Sequence, residues 1–171
     1  GGVRILTPYK AKASDWFIGT ADAVQQNFSF IKRGNPDQIL ILSGDHIYAM
    51  DYRAMAKFHQ DNNADVTLAC IKVPLEEASR FGILHYDKNF RVTQFLEKPE
   101  NPPSNTANMG IYLFNQEVLN QALWEDHFRT DSHHDFGKDI IPRLIEKNLN
   151  IFAYPFNNYW VDVGTIETYW K

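Results

Sequence analysis

The chain has 171 residues, 44% hydrophobic and 14% aromatic, and a formal net charge of −4. These values suit one globular domain with a sizeable core rather than a disordered chain. The acidic balance, without any Lys/Arg run, gives no electrostatic footprint for nucleic acid. No apolar stretch approaches the ~20 residues of a membrane span, no signal peptide is legible, and the single cysteine, Cys70, excludes an internal disulfide. The expectation is a cytoplasmic, soluble domain with neither nucleic acid nor membrane as partner.

In chain order, "GTADAVQQNFSFIKRG" opens with a turn and predicts one helix stopped by Gly34. "ILILS" follows as a strand over 39–43, without polar alternation, as expected when both faces are covered in a parallel sheet. "DYRAMAKFHQDNN" predicts a helix, and "DVTLACIKV" (65–73) a strand ended by Pro74. "FGILHYD" and "RVTQFLEK" alternate around "DKN" as a hairpin. A loop rich in Pro and Asn leads to the strand "MGIYLF", the helix "NQEVLNQALWE" and the polar loop "DHFRTDSHH". "DFGKDIIPRLIEKN" reads as a helix in which Pro142 must sit in the first turn. "NIFAYPF" is the last strand, and "WVDVGTIETYW" a turn entering a helix. Strands alternating with helices predict an α/β fold, a mixed but mostly parallel sheet flanked by helices.

Four stretches place polar residues where they can do chemistry. "SGDH" puts Asp45 at a strand end, where the ligand crevice of such sheets opens; the plainer alternative is that Asp45 caps the next helix. "FLEKP" puts Glu97 and Lys98 before Pro99, "HDFGKD" puts Asp135 and Phe136 at a helix start, and "YWVDVGT" puts Trp160 and Asp162 before a glycine turn. The plainer readings are a solvated Glu97–Lys98 pair, a core Trp160 and a capping Asp162. As a set they suit a phosphate-bearing sugar. Two carboxylates can hold Mg²⁺, a lysine meets phosphate, and an aromatic face packs on a sugar ring. No complete P-loop, G-x-G-x-x-G or Ser/His/Asp set is present. The adjacent residues His133, His134 and Asp135 cannot all face one zinc ion.

The stretches "GTADAVQQN", "SGDHIYAMDY", "EEASRFGI", "FLEKPENPP", "NMGIYLF", "HDFGKDIIP" and "YWVDVGTIETYW" occur in this order. Together they resemble the glucose-1-phosphate adenylyltransferase (ADP-glucose pyrophosphorylase) family, over nearly the whole chain. The resemblance implies the nucleotide-diphospho-sugar transferase fold (Rossmann-like), with residues 1–171 as part of one catalytic domain truncated at both ends. The glycine-rich N-terminal loop and the C-terminal β-helix domain of the family would lie outside it, and the 171 residues alone would be inactive. It further implies AMP transfer from ATP to glucose-1-phosphate in glycogen or starch synthesis, in the cytoplasm or plastid stroma, by a homo- or hetero-tetrameric parent.

In the implied site, Asp45 and Asp162 bind the catalytic Mg²⁺ and Lys98 holds the sugar phosphate. Gly82, Glu97, Tyr112, Asp135, Phe136 and Trp160 line the glucose. Gly19, Thr20, Gly44 and Asp45 lie on the nucleotide side. Asn108 departs from the family, standing where a serine often precedes "MGIY". Alternatives are a non-catalytic regulatory subunit of the same family, and a uridylyl- or thymidylyltransferase acting on glucose-1-phosphate.

Overall fold

The computed structural model describes residues 4–6, 17–42, 46–48, 50–156 and 160–162, with 46–48 and 160–162 as backbone only. Strands β1 (Gln38–Leu42), β3 (Val66–Lys72), β4 (Gly82–Tyr86), β5 (Val92–Glu97), β6 (Thr106–Asn115) and β7 (Ile151–Pro155) form one six-stranded sheet. Its order is β5-β4-β6-β3-β7, with β1 also on β6. A separate short ladder joins β2 (His46–Tyr48) to β8 (Trp160–Asp162).

The sheet lies between two helical layers. Val66, Leu68 and Cys70 of β3, with Tyr112 and Phe114 of β6, pack on one face. There they meet α1 (Thr20–Gln26), α2 (Phe28–Ile31), α4 (Gln116–His127) and α5 (Ile141–Glu146). On the other face Ala69, Met109, Ile111 and Leu113 meet Met55 of α3 (Tyr52–Asp61). β3, with its first five residues buried, is the strand covered on both sides.

The sheet is mixed as expected, but the expectation of mostly parallel strands is corrected. Among the described residues only β3–β7 is parallel, whereas β1–β6, β3–β6, β4–β5 and β4–β6 are antiparallel. β6 runs against the strands on both of its edges. An unbroken apolar run reports coverage of both faces, which this layering supplies whatever the strand direction. β1 itself is only half-buried, with Leu42 exposed.

Local chemistry explains most boundaries. The expected first helix is two, because the Asn27 side chain donates to the Ala23 carbonyl and its N–H bonds Val24, three residues back. Asp51 caps α3, accepting from the Arg53 and Ala54 amides, so capping of that helix is Asp51's task rather than Asp45's. Pro142 sits in the first turn of α5, after a π-helical turn over Phe136–Ile140. Residues 160–162 are a strand rather than a turn. The helix expected after them lies outside the described residues.

β6 has two irregularities that shape the site. One edge pairs with β1 from Ile111 onward and with β4 at Ala107, and no strand pairs with that edge between them among the described residues. Against β3, Leu68 is opposite Tyr112 and Cys70 opposite Asn108, so two steps of β3 match four of β6. Gly110, at φ +70°, takes up this bulge.

Candidate active site

A cavity of about 610 Å³ opens at the unpaired stretch of β6. Ile41 and Leu42 at the end of β1 form one wall, and Gly82 with Glu97 and Lys98 at the end of the β4–β5 hairpin form another. Asn108, Gly110 and Tyr112 of β6 form the floor. Thr20 of α1, Asp135 at the cap of the π-helical turn, and Phe136 and Gly137 within that turn complete it. Thus Thr20, Gly82, Glu97, Lys98, Tyr112, Asp135 and Phe136, distant in sequence, line one space.

Gly82 is paired with Glu97 across the hairpin. A Cβ on Gly82 would stand 2.7 Å from Phe95 Cζ and 2.9 Å from Glu97 Oε2, and one on Gly137 would run into the same carboxylate. The Glu97 carboxylate therefore occupies room left by two bare backbones. Burial, and then the neighbouring Asp135 charge, hold its pKa above the usual carboxylate range, against Lys98 and Lys138. Lys98 has φ +45°, a left-handed conformation costing a non-glycine residue about 1 kcal/mol. Its N–H donates to the Phe81 carbonyl at 3.1 Å, so Phe81 and Lys98 are held side by side.

Asp135 is fixed from three directions. Its carboxylate accepts from the Thr20 hydroxyl (3.0 Å) and the Lys138 amide (2.9 Å), while its own N–H donates to Asp139 (3.1 Å). The Phe136 amide donates to the Thr20 hydroxyl. Gly19 makes this docking possible, since a Cβ there would meet the His133 and His134 carbonyls, and the Ala21 N–H donates to His134. The structure thus commits the hydroxyl of Thr20, assigned by resemblance to the nucleotide side, to Asp135 and Phe136.

The aromatic wall is Tyr112 stacked on Phe136, with ring centroids 5.6 Å apart and 28° between planes. The Asn108 amide donates to the Tyr112 hydroxyl at 2.7 Å and its carbonyl accepts from Gly110 N–H. Because the bulge keeps even parity, Asn108 and Tyr112 face the same side. Burial pushes the Tyr112 phenol well up, so it stays protonated.

The β2–β8 ladder sets Asp162 opposite His46 and Trp160 opposite Tyr48. Gly44 and Asp45 lie outside the described residues, as do the side chains of Trp160 and Asp162. Sequence reasoning missed Arg80, Gly110 and Gly137, which also line the cavity. Each was visible beside a motif, Arg80 two residues before Gly82 and Gly137 next to Phe136. It also missed Asp126, buried behind the site, which accepts from Ser132, His134 and Arg143.

The family model described as nucleotidyl transferase matches residues 2–171. The chain belongs to the nucleotidyl transferase family. A glucose-1-phosphate adenylyltransferase of Clostridium novyi is 52% identical over the whole of this nucleotidyl transferase chain, which covers 45% of that protein. Proteins of the same name match in full at 52% in Halalkalibacterium halodurans and 50% in Geobacillus stearothermophilus, with 45% and 44% of their lengths covered. The chain thus spans less than half the length of these curated relatives. No helix among its described residues is long and apolar enough to cross a membrane.

Proposed function

We propose that this chain carries the sugar-phosphate side of a glucose-1-phosphate adenylyltransferase active site. The observation that carries the reading is the single cavity combining Glu97, Asp135, Lys98 and the stacked Tyr112–Phe136 wall. Carboxylates accept from sugar hydroxyls, the aromatic wall packs on the ring, and Lys98 attracts the phosphate. Both Asp135 oxygens already accept one bond and keep a lone pair for a ligand.

In the proposed reaction a phosphate oxygen of glucose-1-phosphate bonds to the α-phosphorus of ATP as the bond to the departing pyrophosphate breaks in line, giving ADP-glucose. The residues act by positioning. Glu97 and Asp135 orient the sugar, while Lys98 offsets the repulsion between two anions and holds the attacking oxygen still. Asp45 and Asp162, the two carboxylates that the resemblance assigns to the metal, are hard-oxygen donors of the kind Mg²⁺ takes, and the backbone of Asp162 pairs with that of His46, the next residue after Asp45 in the sequence. Asp45 and Asp162 would hold that ion, which supplies charge neutralisation at the phosphate oxygens. We propose that the full-length parent works on ATP and glucose-1-phosphate in the cytoplasm or plastid stroma as a homo- or hetero-tetramer.

The test is pyrophosphate release by the full-length parent from glucose-1-phosphate with ATP, UTP, dTTP or GTP plus Mg²⁺, beside Asp45→Asn. A preference for ATP is expected, with a rate that the substitution lowers about 10²- to 10⁴-fold. Preference for UTP or dTTP would move the protein to a sister transferase. No release with any nucleotide from folded protein would favour a regulatory subunit and overturn the reading.

A further inference from the structure

Arg80 is exposed, ends the 3₁₀ turn Leu75–Arg80, and lines the cavity beside Phe81 and Lys98. Its guanidinium lies over the Phe81 ring, 5.8 Å from the centroid. This contact uses none of its N–H donors in a hydrogen bond, and among the described residues they remain available to a ligand. Among the described residues neither Arg80 nor Lys98 takes part in an ion pair. The contrast with Arg143, which is held by Asp126 and Asp139, is direct. Two unpaired cations thus flank Phe81, whose carbonyl receives the Lys98 N–H.

The cavity is lined by charges of both signs. Glu97 and Asp135 supply two carboxylates, Lys98 follows Glu97 in the chain and acts against the rise of its pKa, and Arg80 adds a second cation. A phosphate monoester carries close to two negative charges near neutral pH, more than one lysine neutralises. Two cations together match that charge more nearly than Lys98 alone.

We infer that Arg80 is a second anchor for the phosphate group of the sugar phosphate, forming a planar fork that complements the point charge of Lys98. The inference rests on the reading of the cavity as a sugar-phosphate site. It assigns Arg80 a role in affinity and in selecting phosphorylated over free sugar.

The experiment measures equilibrium binding of glucose-1-phosphate by calorimetry on the full-length parent. It is run with Mg²⁺ and an ATP analogue whose α–β bridge is methylene, so that no turnover occurs. Arg80→Gln is expected to weaken glucose-1-phosphate about tenfold and Arg80→Lys about threefold, with binding of the ATP analogue unchanged. Raised salt should weaken the wild type more steeply than Arg80→Gln. Equal affinity of wild type and Arg80→Gln would overturn the inference while ADP-glucose formation by the wild type upheld the reading of the site. A loss confined to the ATP analogue would also overturn it, placing Arg80 on the nucleotide. Binding that depends on Arg80 in a protein with no turnover would uphold the anchor and sink the transferase reading. Absence of glucose-1-phosphate binding by the wild type would overturn both.

Discussion

Glu97 shows how a site residue can oppose the fold that holds it. Its carboxylate is wedged against Gly82 and Gly137, partly desolvated and close to Asp135. Because its folded pKa lies above the unfolded value of about 4.3, the folded state binds the proton more tightly, and stability falls as pH rises from that value through the folded pKa. Glu97→Gln should therefore raise the melting temperature of the apo protein at neutral pH and remove that pH-dependent loss. It should also weaken glucose-1-phosphate by about tenfold or more, as a neutral amide is a poorer acceptor. Thermal melts from pH 4 to 8 with parallel binding measurements check this; an unchanged or lowered neutral-pH melting temperature would contradict the strain. The residue types were legible in "FLEKP" and "HDFGKD", but their mutual repulsion was not. It arises only when a hairpin end and a helical turn meet.

At the scale of elements, the segment carrying Asp135 and Phe136 is held from behind by α4 and α5. Asp126 of α4 is almost wholly buried and receives the Ser132 hydroxyl, His134 Nδ1 and Arg143. Arg143 also reaches Asp139, whose carboxylate accepts the Asp135 amide. Burial pushes the Asp126 pKa up, but the three donors outweigh it and hold it below the usual range. Its stabilising effect is present above the unfolded pKa of about 3.9 and is lost as pH falls through the lower folded value. Asp126→Asn should cost about 3–5 kcal/mol at neutral pH, read by denaturant unfolding, and flatten acid unfolding below about pH 4. A cost within 0.5 kcal/mol would show that the network contributes nothing. Element identities were mostly readable from periodicity, the α3 helix and the β4–β5 hairpin among them. What sequence missed depended on partners, since β2 is a strand only because β8 lies beside it.

For the whole molecule, the two sheet faces differ in what they support. Phe114 is buried against both Tyr112 and Phe136, with centroids 6.3 and 5.8 Å away, so it backs the aromatic wall. Met55 is equally buried but on the α3 side. Phe114→Ala should cost about 3–5 kcal/mol and weaken glucose-1-phosphate binding, whereas Met55→Ala should cost about 2–5 kcal/mol and leave binding nearly unchanged. Denaturant unfolding and calorimetry on both variants check the contrast, and an equal effect on binding would refute it. Strand direction was invisible to sequence for the same reason, because burial on two faces looks alike in parallel and antiparallel strands. The even-numbered bulge of β6 also limits how the chain can diverge. Residues can be added to or removed from it only in pairs, since a single insertion would turn Asn108 away from Tyr112 and expose one apolar face. Evolution can exchange the side chains on this floor one by one, but the floor itself changes length only in whole steps of two.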